Sequence, residues 1–198
     1  AGANVSDGIV GSPTWDMHTF QSASYAGGPA AGTVANETVL YWVEMAHAGL
    51  IKGISDDGIN NIPASFGGSL PKADVGGGFM VGYANPSVCN NAALPCAPYL
   101  MGPTSYNMSG TVLALAVAPA TLDGTRGKQL LTPAAAADMD RKIDDGMPIT
   151  GNVQTYGSTA ICAKLFAATG YQYWEAGDDG QGHQPTSKDC GLYFLVQQ

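Results

Sequence analysis

The chain predicts one α+β domain over residues 1–198, with an antiparallel β-sheet, two short helices and long Gly- and Pro-rich loops. Three observations carry that expectation. Only two stretches, 34–48 and 133–145, combine a helical apolar period with signals at their ends. Four short runs, 78–84, 110–117, 151–156 and 191–197, are rich in β-branched or aromatic residues and bounded by Gly or Pro. The rest is heavily punctuated: 27 glycines and 12 prolines among 198 residues suit a β-rich exported domain better than a helical bundle. A chain of this length can bury a core of ordinary size, and no repeat or linker divides it.

Taken in order, residues 1–32 are broken by Gly8, Gly11, Pro13, Gly27, Gly28, Pro29 and Gly32, with Trp15 and Phe20 as the side chains expected to pack that loop down. The stretch 34–48 places Val39, Trp42, Val43, Ala46 and Leu50 on one face, with Glu37 in the first turn, where a carboxylate favours the helix dipole. Gly49 fits a left-handed helix end, with Leu50 and Ile51 folding back as its apolar closure. Residues 54–76 are expected as loop. In 110–117 apolar residues occupy both faces, which predicts a central strand. The second helix is the most completely specified element. Thr132 can cap it, Pro133 suits its first position, four alanines favour it, and Ala136, Met139 and Ile143 form a stripe. Gly146 and Pro148 end it.

Composition excludes some functions. Hydrophobic residues make up 45%, charged residues only 12%, and the net charge is −8, so a nucleic acid or an anionic membrane surface is a poor partner. No run of about 18 apolar residues is present. Four cysteines, at 89, 96, 162 and 190, form no Cys-x-x-Cys, which argues against a zinc knuckle. An even count in a chain poor in Lys predicts two disulfides and an oxidising compartment, with three pairings open.

Two segments resemble one known group of proteins. Thr132-Pro133-x-x-Ala136, then Asp140-x-Lys142-x-Asp144-Asp145-Gly146-x-Pro148, then Gly151-x-Val153, looks like the C-terminal half of bacterial type IV pilin-like and pseudopilin-like proteins. Upstream, Trp42-x-x-Met45-Ala46-x-Ala48-Gly49-Leu50-Ile51-x-Gly53 is similar to a second segment of the same proteins, in the same order. Pro13-Thr14-Trp15-Asp16-Met17 stands where they often carry Pro-Gly-Asp-Met, but with an inserted residue and no glycine. The resemblance implies a pilin-like head domain and a structural subunit of a pilus or secretion filament rather than an enzyme. Its partners would be other pilin or pseudopilin subunits, at the bacterial surface or in the periplasm. Contact with a membrane would come only through the hydrophobic N-terminal helix of such proteins, which has no counterpart in this chain. With sequence proximity, the resemblance also implies the pairs Cys89–Cys96 and Cys162–Cys190, and a last strand at the C-terminus.

Candidate ligand groups are acidic. Asp140 and Asp144 share a helical face with Asp145 adjacent, where like charges at a helix C-terminus are unfavourable. Either they serve a cation or a basic partner, or Asp138–Lys142 and Asp140–Arg141 pairs neutralise them and Asp144 or Asp145 shapes the turn. Pseudopilins often bind calcium near their C-terminus, and the resemblance implies Asp178, Asp179 and Asp189 as oxygen ligands here, on a Gly-rich loop without EF-hand spacing. Asp56-Asp57-Gly58-x-Asn60-Asn61 is a second oxygen-rich turn. Catalysis finds little support. No Gly-x-Ser-x-Gly or His-Glu-x-x-His occurs, His18 and His183 have no evident partner, and His47 lies on the amphipathic helix beside its polar boundary, where a structural role is expected. The alternative is a secreted enzyme or carbohydrate-binding module using Trp15, Trp42, Trp174, Tyr171 and Tyr173 as stacking faces.

Overall fold

The run Gly110–Ala116, apolar on both faces, lies between two other strands in the computed structural model, which describes residues 37–55, 65–84, 109–118, 129–157, 162–166, 170–173 and 186–197. This strand, β2, pairs antiparallel with β1 (Gly78–Ala84) and with β6 (Cys190–Gln197). β3 (Val153–Gly157) adds antiparallel to the far side of β6, so the sheet order is β1-β2-β6-β3. The register lines up Met80, Ala114, Tyr193 and Gln154 across all four strands, and Phe79, Leu115, Leu192 and Thr155 in the next row. Alternate rows point to opposite faces, so both faces carry large apolar side chains and both must be covered. A register shift at Thr111/Val112 marks a bulge near the end of the β2–β6 pair.

Two helices among the described residues pack on this sheet: α1 (Glu37–His47) against β1, and α2 (Pro133–Ile143) against β3 and β6. Trp42 and Val43 of α1 are buried. Gly49 takes the expected positive φ of 73°, and the N–H groups of Gly49 and Leu50 bond the carbonyls of Ala46 and Met45. That is a helix end made by backbone alone. Leu50 does not close it, being 70% exposed; Ile51 and Ile54 pack against the core in its place.

In α2, Thr132 Oγ1 accepts the Ala135 N–H at 3.3 Å and Pro133 occupies the first turn, as the sequence predicts. The buried stripe differs. It is Pro133, Ala136, Ala137 and Asp140, whereas Ile143 is 61% exposed. The chain leaves the helix at Asp144, so Ile143 lies past the contact with the sheet, and the position one turn earlier that faces the interior is a carboxylate.

A second, two-stranded antiparallel sheet, β4 (Ala163–Phe166) with β5 (Gly170–Tyr173), was not expected from the sequence. Each strand has four residues, too few for alternation to stand out. The Cys162–Cys190 disulfide joins the start of this hairpin to the start of β6 across a separation of 28 residues. By the chain-entropy relation such a closure stabilises by about 3.5 kcal/mol. Cys89 and Cys96 lie outside the described residues. A disulfide points to an oxidising, non-cytoplasmic setting. Among the described residues no helix is long and apolar enough to cross a membrane.

Candidate functional site

The three carboxylates that crowd the end of α2 come together in the fold, and the turn from 144 to 153 is wound around them. Asp140 is fully buried. Its Oδ2 accepts the Tyr173 hydroxyl at 2.8 Å and its Oδ1 accepts the Gly146 N–H at 3.2 Å. Burial pushes its pKa up to about 6; the two hydrogen bonds pull the other way, and the charges of Asp145 and Asp144 add to the rise. Tyr173 is likewise pushed well above the ordinary phenol range by burial and by the Asp140 carboxylate.

Asp144 accepts the N–H groups of Asn152 and, at 3.0 Å, Val153, which fixes the entry to β3. Asp145 accepts the Met147 N–H at 2.8 Å through one oxygen and the Thr150 hydroxyl at 2.6 Å through the other. The Pro148 carbonyl takes both the N–H (2.8 Å) and the hydroxyl (3.2 Å) of Thr155. Gly151 sits at φ 71°, where an added Cβ would overlap the Asp144 carboxylate. Asp138 pairs with Arg141 at 3.2 Å, not with Lys142, and Asp140 is neutralised by neither Arg141 nor solvent but buried against Tyr173.

Oxygens of Asp140, Asp144 and Asp145 lie within 4.8 Å of one another, so the group could hold a metal ion. Each carboxylate is already engaged by N–H or O–H donors of the turn or of β5, so the three serve the turn whether or not an ion binds. Their charges are tolerated because backbone donors converge on them.

Of the calcium ligands that the sequence suggests, Asp189 is buried directly before β6, beside Lys188, whose carbonyl accepts the Gln129 N–H. Asp178 and Asp179 lie outside the described residues, as do Asp56, Asp57, Trp15, Trp174, His18 and His183. Trp42 and Tyr173, considered above as sugar-stacking faces, are both 6% exposed and present no open ring. Sequence reasoning missed the Asp140–Tyr173 contact and the Thr150 bond to Asp145. The signal for the first was the position of Asp140 itself, at i+4 from Ala136 on the face that packs.

A concavity of about 370 Å³ lies between α1, the segment after it and the sheet, lined by Trp42, Ile51, Lys52, Ile54, Phe79 and Leu113. It is almost wholly apolar. The Trp42 Nε1–H beneath it is buried and has no partner among the described residues.

No family model, no curated protein and no solved structure matches the chain.

Proposed function

We propose that the chain is the head domain of a type IV pilin-like or pseudopilin-like subunit, whose role is assembly into a surface or secretion filament with other such subunits. One observation carries this reading. The residues of the Thr132–Val153 pattern work together in one local unit: Thr132 caps α2, Pro133 starts it, Asp144 ties the turn to β3, and Gly151 makes room for that carboxylate. A pattern whose spacing is set by such interlocking contacts is more than a chance run of small and acidic residues. The antiparallel sheet and the disulfide at the start of the last strand are consistent with it.

On this reading the Gly-rich loop carrying Asp178 and Asp179, with Asp189, is a calcium site. Thermal unfolding in millimolar calcium and in chelator tests that part. The midpoint rises with calcium in the wild type and not in an Asp178→Ala, Asp179→Ala variant. The filament role is tested by producing the full-length gene product in cells that carry a pilus or type II secretion apparatus and probing sheared surface filaments. The expected result is a coding sequence with a prepilin leader and hydrophobic helix upstream of Ala1, and the subunit in the filament fraction. A conventional signal peptide with monomeric protein in the medium overturns it.

A further inference from the structure

We propose that the concavity beside α1 is a binding site for a small apolar carboxylate, with the apolar body against Trp42 and Phe79 and the acid group at Lys52. Its size and make-up are the first ground. At about 370 Å³ it falls within the range of small-molecule sites, which are mostly apolar with a few polar groups that orient the ligand. Three parts of the chain form it: Trp42 of α1, Ile51 and Ile54 of the segment that follows, and Phe79 and Leu113 on one face of the sheet. Backbone bonds fix these parts. The Leu50 N–H bonds the Met45 carbonyl, the Ser55 N–H the Gly68 carbonyl, and the Phe79 N–H the Pro71 carbonyl. The walls are therefore set before a ligand arrives, which lowers the cost of binding.

The second ground is what the fold leaves unfinished there. Met80, Val81, Ala114 and Leu115 of the same two strands are buried, whereas Phe79 and Leu113 are only half-buried, as are Ile51 and Ile54. Trp42 is a wall of the concavity, and its Nε1–H is buried without an acceptor among the described residues. Buried polar atoms are nearly always paired, so an unpaired one asks for a group that the fold does not supply. An acceptor oxygen carried by a ligand is such a group.

The third ground is charge. Lys52 is the one charged residue in the lining. It is exposed and pairs with no carboxylate among the described residues, although the chain has 16 acidic residues to 8 basic ones. The acidic surface repels anions elsewhere, so an unpaired ammonium beside an apolar hollow decides where an apolar anion settles. The same lining turns other ligands away. A sugar loses partners for its hydroxyls on entering, because beyond Lys52 and Trp42 no lining side chain can hydrogen-bond. A cation meets an ammonium and no carboxylate.

Two-dimensional NMR of the wild type titrated with octanoate, 1-octanol and octylamine tests the site, read at the assigned Trp42 indole N–H and the methyl groups of Ile51, Ile54 and Leu113. We expect saturable shifts centred on these groups, with octanoate bound most tightly, octanol more weakly and octylamine most weakly. In Lys52→Gln the advantage of octanoate over octanol, up to about fivefold for a solvent-exposed ion pair, disappears. In Lys142→Gln, changed on α2, it stays. Saturable shifts absent from these groups overturn the proposal, as does equal binding of octanoate and octylamine, or an advantage that survives in Lys52→Gln. A dilution series without ligand covers the other occupant. The same shifts appearing as protein concentration rises assign the hollow to a second copy of the chain and overturn the carboxylate site.

Discussion

The two helices end in different ways. α1 stops on backbone bonds alone, with Gly49 in a left-handed conformation and no atom near where its side chain would be. α2 also has a backbone bond, from the Asp144 N–H to the Asp140 carbonyl, and a left-handed Gly146, but to these its three carboxylates add bonds from Gly146, Met147, Thr150, Asn152, Val153 and the buried Tyr173. A backbone ending needs one permissive residue. A side-chain ending needs several residues in register, and its parts depend on one another. The first kind of ending should tolerate substitution and the second should not.

The largest effect is expected at Gly151. Alanine there must hold a left-handed conformation and must also displace the Asp144 carboxylate from two N–H donors. The two costs together come to about 3 kcal/mol, read as a lower midpoint in denaturant with an unchanged slope. Next comes pH. The folded protein should gain stability relative to its Asp140→Asn variant as pH falls from about 6 toward 4, because the docked Asp140 takes up its proton first. Urea melts of both proteins at several pH values check this, and parallel curves would count against it. The smallest effect is at Gly49, where alanine meets nothing within 4 Å and suffers only the conformational strain, about 1 kcal/mol. Should Gly49→Ala cost as much as Gly151→Ala, the contrast between the two endings fails.

The same contrast explains what could be read from the chain. β1 and β2 follow from short runs of apolar, aromatic and β-branched residues that open on a glycine, and the start of α2 follows from Thr132 and Pro133, because these signals act within a few residues. The Gly49 ending is legible for the same reason. Leu50 was misjudged, since whether a residue just past a helix turns inward depends on what else can fill the space, and Ile51 and Ile54 do. Asp140 was the larger miss. On a helix wheel it belongs to the packed face, yet a carboxylate is normally assigned to solvent, and its reason for burial is a tyrosine 33 residues away. The β4–β5 hairpin escaped notice because Lys164 and Gln172 interrupt strands of only four residues. For the acidic cluster, the sequence raises both a cation site and a turn; the N–H donors show the turn, and the oxygens lie close enough for an ion as well.

The bonds that Asp144 accepts from Asn152 and Val153 imply that the acidic cluster holds the turn without the help of an ion. Thermal unfolding of the wild type and Asp144→Ala, each in millimolar calcium and in chelator, tests it most directly. Removing Asp144 strands two backbone donors whether or not calcium is present. A loss of about 2 kcal/mol, the same in both solutions, is therefore expected. A loss that appears in calcium and vanishes in chelator would contradict it, and would show that the carboxylates of Asp140, Asp144 and Asp145 are held together for a metal.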